Sequence, residues 1–238
     1  MKKKQVSYLK NKASSMESSM KVYKYTLEFM EEVYFSSQEI DTFFSTKPLI
    51  GNYALAYAMN WCRAKYNQNY VSYEEDFKIL NYRGLYITPA NIINPKYNIF
   101  TFNGLSHGYY HKMERALWNY PQMGKIKALS VGNKGEGLIF SKEEIRKISY
   151  IRLGKFMGKV KVTYEECSFN IIEDEKECFG LINSLDLDKE FEVVNFDLIN
   201  VHPVSLFKNL RGKGKLYEIN TKEGKIFYPC NMVLGGVE

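Results

Sequence analysis

Histidine, tryptophan and cysteine are scarce in this 238-residue chain, with three, two and four residues respectively. Cys62, Cys167, Cys178 and Cys230 form no C-x-x-C pair, and their spacing matches no zinc pattern. That favours reduced, structural thiols over a metal centre. The signatures G-x-x-x-x-G-K-S/T, G-x-G-x-x-G and H-E-x-x-H are missing, so P-loop, dinucleotide and zinc-protease chemistry lack their usual marks. No apolar run approaches the roughly 18–20 residues of a membrane span. The start, MKKKQVSYLKNK, is basic but leads into no apolar stretch, so the expectation is a protein that stays in the cytoplasm. No catalytic residue, metal or cofactor is expected.

Tyrosine and phenylalanine are plentiful, at 19 and 15, and the net charge is +6. The charge is separated into blocks. Residues 1–20 carry +4, residues 21–109 zero, residues 110–161 +8, residues 165–197 −9 and residues 208–225 +4. Such separation suits a polyanion on one face and a basic protein neighbour on another. The acidic segment 165–197 is the candidate for that neighbour.

Residues 1–19 read as a flexible Lys- and Ser-rich tail. Alternation at Tyr23, Tyr25, Leu27 and Phe29 predicts a half-buried strand. Ile50, Tyr53, Ala54, Tyr57, Ala58, Trp61 and Cys62 form one helical stripe. Ser72-Tyr-Glu-Glu75 has capping-box spacing and predicts a helix, as does the spacing at Ser141–Glu144. Strands are expected at 84–88, 98–102, 151–153, 159–164 and 191–200. Residues 126–131 and 137–140 are expected to pair across Gly132–Gly135, and 215–229 to form a second hairpin. Residues 177–185 read as a helix, and 104–125 as an exposed, aromatic and basic excursion. The pattern gives an α+β fold, best matched by a ferredoxin- or RRM-like split β-α-β core with a long insertion and additional β-hairpins.

Three basic clusters point to RNA. In the segment 150–161, Arg152, Lys155, Lys159 and Lys161 alternate with apolar residues, and Gly154 and Gly158 would admit a phosphate backbone. Arg211, Lys213 and Lys215 form a second cluster, and Lys125 with Lys127 a third. Tyr109, Tyr110 and Phe156 could stack on splayed bases. His107 and His111, with Glu114, are spaced for a site on one helix face, but Gly108 between them favours a mobile loop. His111, Lys112 and Tyr109 or Tyr110 could also supply a metal-independent endoribonuclease, and that alternative stays open.

Four stretches together resemble the Csc-one family of type I-D CRISPR Cascade subunits, in the wider Cas-five group of RAMP proteins. They are Phe35-Ser-Ser-Gln-Glu-Ile40, Asn52-Tyr-Ala-Leu-Ala-Tyr-Ala58, Gly84-Leu-Tyr-Ile-Thr-Pro-Ala90 and Tyr150-Ile-Arg-Leu-Gly-Lys155. Met123-Gly-Lys-Ile-Lys127 and Leu129-Ser-Val-Gly132 fit the same pattern, and the likeness runs from about residue 20 to 165. The resemblance implies an RRM-like RAMP domain over 20–238 with a thumb at about 92–150. It implies a non-catalytic subunit that caps the 5′ handle of the guide RNA (crRNA). Its partners would be the large subunit and the repeating backbone subunit, with contact to target DNA near the PAM end left open. The group's glycine-rich loop is met only in part, by Arg211–Lys215.

Overall fold

A computed structural model describes residues 20–62, 72–103 and 123–236. Strand β1 is Lys21–Phe29, followed by the short strands β2 (Gln38–Ile40), β3 (Phe43–Ser45) and β4 (Leu49–Ile50). Helices α1 (Asn52–Ala58) and α2 (Tyr73–Tyr82) come next, then β5 (Leu85–Ile87), β6 (Ala90–Ile93), β7 (Tyr97–Asn103) and β8 (Met123–Leu129). The remainder is strand: β9 (Lys134–Ser141), β10 (Tyr150–Leu153), β11 (Gly158–Glu177), β12 (Leu181–Asn183), β13 (Glu192–Ile199), β14 (Leu206–Thr221) and β15 (Gly224–Pro229). The chain is therefore mostly β, with two helices among the described residues, and the α+β expectation is corrected to that extent.

One large antiparallel sheet holds β11, β1, β9 and β5 or β6 side by side, and a separate sheet runs β2-β3-β8-β7. β1 pairs with β9 on one side and with β11 on the other, antiparallel to both. Alternation turns Tyr23, Tyr25, Leu27 and Phe29 to one face, where all four are buried. The opposite face is covered as well at its start. β11 leaves β1 at Cys167 and takes β14 as its neighbour from Ser168 onward. The sheet thereby curls until β14 and β15 lie over β9. Phe140, cross-strand from Val22, stacks on Tyr217 at 4.9 Å and meets Tyr228 at 5.5 Å. Lys24, on that covered face, bonds to Glu136 at 2.9 Å and to Glu223 of the β14–β15 turn. Burial alone would lower its pKa, but the two carboxylates outweigh burial and hold it above the usual lysine value. The predicted half-buried strand is thus buried on both faces over Val22–Tyr25.

Other expectations are corrected. Residues 177–185 contain strand β12, paired with β14, rather than a helix. β8 and β9 form no hairpin: β8 pairs with β7 and β3, whereas β9 pairs with β1. The capping-box spacing at Ser141 builds a turn, because its hydroxyl donates to the Glu143 carbonyl (2.6 Å) and accepts from the Glu143 amide (3.2 Å). The same spacing at Ser72 does precede α2, where Glu74, Glu75 and Asp76 complement the first-turn dipole. All four cysteines are buried, and burial pushes the Cys62 and Cys178 thiols up to about 12.

Candidate nucleic-acid interface

The hairpin from β10 to β11 is built on close packing. Gly154 sits at φ +71° and Met157 at φ +52°, which turns the chain tightly. A Cβ at Gly154 would lie 2.4 Å from the Tyr34 carbonyl oxygen, and one at Gly158 2.3 Å from that of Glu32. These glycines admit the protein's own main chain, where the sequence suggested a phosphate backbone. Lys155 donates its amide to the Tyr34 carbonyl at 2.7 Å. The hairpin is thereby clamped to residues 30–35.

That clamp sets the cations. Arg152 Nη1 donates to Glu31 Oε2 at 2.6 Å and to the Met157 carbonyl at 3.0 Å. Lys159 Nζ lies 4.5 Å from the centre of the Tyr150 ring, and Lys155 Nζ 5.8 Å from that of Tyr34. Lys161 Nζ approaches Glu28 at 3.8 Å. Beside the hairpin, facing the C-terminal end of α1, runs an open groove of about 780 Å³. Arg146, Arg152 and Lys159 line it with Tyr57, Asn60 and Tyr150, and among the described residues no carboxylate does. Arg146 lies outside the 150–161 cluster that the sequence singles out, though inside the basic block 110–161. Its sequence signals are that block and the adjacent basic pair Arg146–Lys147.

The other clusters lie elsewhere. Lys125 and Lys127 sit on β8 in the second sheet, with Lys127 Nζ 4.0 Å from the Tyr97 ring centre. Phe156 packs at 5.1 Å from Tyr34 and edge-on at 6.0 Å from Phe100, and 44% of it stays exposed. Arg211, Lys213 and Lys215 stand directly across β14–β11 from Glu177, Glu175 and Glu173. Lys213 also faces Glu192 on β13, and Arg211 Nε donates to Glu175 at 2.7 Å. The basic block 208–225 therefore neutralises part of the chain's own acidic block by cross-strand pairing. Gly212 and Gly214 there make room for the Phe191 ring, which a Cβ at Gly212 would meet at 2.2 Å. Tyr109, Tyr110, His107, His111, Lys112 and Glu114 lie outside the described residues. So does Gly104-Leu-Ser-His-Gly108, a G-x-S-x-G spacing that sequence reading passed over.

Residues 20–236 match the family model described as type I-D CRISPR-associated protein Cas5/Csc1. The chain belongs to that family. No curated protein matches it. A solved CRISPR protein from Archaeoglobus fulgidus is 14% identical, with a TM-score of 0.39 over 88% of this chain and 100% of that one, too loose a likeness to assign the fold.

In this Cas5/Csc1 family member, the described residues hold no cluster of three or more His, Cys, Asp or Glu placed for a metal. No described helix is long and apolar enough to cross a membrane. The one deeply buried carboxylate among the described residues, Asp186, is fully engaged. It accepts from Asn52 Nδ2 (2.6 Å), the Tyr53 hydroxyl (2.7 Å), the Tyr86 hydroxyl (3.2 Å) and the Gly235 amide (3.0 Å). Burial pushes its pKa up to about 6 against the pull of those donors. Its role is to tie α1, β5 and the C-terminal segment together. What the groove offers is positive charge beside aromatic faces, which suits binding a phosphodiester strand.

Proposed function

We propose that this chain is a non-catalytic subunit of a type I-D CRISPR interference complex that binds the guide RNA and caps its 5′ handle. In this reading it contacts the large subunit and the repeating backbone subunit. The observation that carries the proposal is the groove lined by Arg146, Arg152 and Lys159, with no carboxylate among its described lining residues. Cations of this kind recognise RNA through its backbone, while base pairing reads the target. The strand order β11-β1-β9-β5 supports a ferredoxin-like core, with the chain between β9 and β11 holding strand β10, paired to β11, instead of a second crossover helix. The second sheet, with β7 and β8, supplies the thumb, and β9 and β10 return to the core. The endoribonuclease alternative rests on residues outside the described ones, and no described residue favours it.

The test is neutralisation of Arg146, Arg152 and Lys159 to Ala together, with the tagged assembly purified and its RNA sequenced. Handle-bearing RNA should fall at least tenfold relative to partner subunits. For the isolated chain, the slope of log affinity against log salt should become shallower by about 2, since each phosphate contact on a single strand contributes ~0.7. Retention of the same RNA at the same yield would remove the capping role.

A further inference from the structure

The groove holds an aromatic ring whose outer face is occupied by one of its own cations. Tyr150 is 51% exposed, and Lys159 Nζ rests 4.5 Å from its ring centre. Register explains the pairing. Arg152 faces Lys159 across β10–β11 and Tyr150 faces Lys161, so alternation sets all four side chains on one face of the hairpin. The neighbouring cation is similarly parked, with Arg152 on Glu31. Glu31 would not be stranded if Arg152 left it. Its Oε2 also accepts the Lys159 amide at 2.8 Å, and its side chain is 49% exposed. Both cations are therefore held by contacts that can be exchanged cheaply for a phosphate. Arg146, which also lines the groove, has no ion-pair partner among the described residues.

Resting on the RNA-binding reading above, we infer that the groove is a pocket for one unstacked nucleotide of a single strand. The nucleobase takes the place of the Lys159 ammonium on the Tyr150 ring, and the flanking phosphates take Lys159, Arg152 and Arg146. In the exchange Lys159 trades a ring face for a phosphate, Tyr150 trades a cation for a base, and Arg152 trades Glu31 for a phosphate, leaving Glu31 to the Lys159 amide and solvent. A volume of about 780 Å³ admits a nucleotide with its flanking phosphates. Stacking tolerates any base, so the pocket positions the strand without reading its sequence. Tyr150 is thus a binding residue that acts on the base, separable from the cations that act on the backbone.

The separation gives the test. The full chain is titrated with an eight-nucleotide single-stranded RNA and with an abasic strand of equal length, in wild type, Tyr150→Phe and Tyr150→Leu. Tyr150→Leu should weaken the base-bearing strand about tenfold. It should leave the abasic strand and the salt slope unchanged, and Tyr150→Phe should bind like wild type. Equal binding of the base-bearing strand by Tyr150→Leu and wild type overturns the pocket while leaving RNA binding intact. Equal weakening of both strands by Tyr150→Leu also overturns it, since the ring would then only shape the groove. If wild type binds neither strand, the RNA reading falls and the pocket with it. Adenosine monophosphate binding as tightly as the strand would assign the groove to a free nucleotide and overturn the strand assignment. Thermal melting of the variants, with Tyr150 half-exposed, should shift by no more than a few degrees.

Discussion

Asp186→Ala should cost about 3–5 kcal/mol, a large share of the 5–15 kcal/mol that stabilises a typical domain. The substitution leaves Asn52 Nδ2, two tyrosine hydroxyls and the Gly235 amide facing an apolar methyl in a fully buried place. Each orphaned donor costs about 1–3 kcal/mol unless it finds another acceptor. Asn52 also accepts from Asn183 at 3.0 Å, so the disturbance spreads to β12. Chemical denaturation should show a lower midpoint with α1 and the C-terminal segment most affected. A pH series separates the charge from the shape. The carboxyl's folded pKa, about 6, lies above its unfolded value of 3.8. The folded state therefore binds the extra proton, and this group's contribution is greatest below about pH 4. It is lost as pH rises through about 6, by up to about 3 kcal/mol at roughly 1.4 kcal/mol per unit. Asp186→Asn cannot ionise, so the stability difference between it and wild type should change over pH 4–6 and be level above and below. A constant difference across that window would show that Asp186 stays ionised throughout.

Gly158→Ala should destabilise by about 3 kcal/mol and weaken RNA binding at the same time. The added methyl would sit 2.3 Å from the Glu32 carbonyl oxygen, and main chain cannot yield as a side-chain tip can. Relief requires the hairpin to move away from residues 30–35. Such movement would stretch the bonds from the Met30 and Glu31 amides to the Lys159 carbonyl, at 2.9 and 3.2 Å. It would also re-aim Arg152 and Lys159. Gly132→Ala is the control: Gly132 sits at φ +82° with nothing within 4 Å, so only the conformational cost of about 1 kcal/mol applies. Urea midpoints and RNA titrations on both variants decide the matter. If Gly158→Ala were as mild as Gly132→Ala, the clamp would not be what holds the groove in shape.

How much of this was legible beforehand depended on the range of the interactions. β1, α2, β7 and the β14–β15 hairpin follow from local periodicity and turn residues, and α1 fills only Asn52–Ala58 of the stripe expected from Ile50 to Cys62, with Ile50 in β4. Residues 177–185 mix Cys178, Phe179, Leu181, Ile182 and Leu185 with polar residues and Gly180 at a spacing that suits helix or buried strand, and only pairing with β14 decides. Gly132–Gly135 looked like a hairpin turn, yet Met123–Leu129 and Lys134–Ser141 join different sheets. The groove was half visible: Arg152 and Lys159 stood out, whereas Arg146 and the ring of Tyr150 needed the hairpin's clamp to bring them together.

By itself, then, the sequence determined the family, through ordered short motifs, and the local elements, through side-chain period. It also determined which residues carry charge, but not where that charge is spent. Only the tertiary structure decided that Arg211, Lys213 and Lys215 face Glu177, Glu175 and Glu173, while Arg146, Arg152 and Lys159 share a groove with no carboxylate among its described lining residues. The reason is register. A side chain's electrostatic partner is set by which strand lies opposite, and that pairing joins residues tens to more than a hundred positions apart.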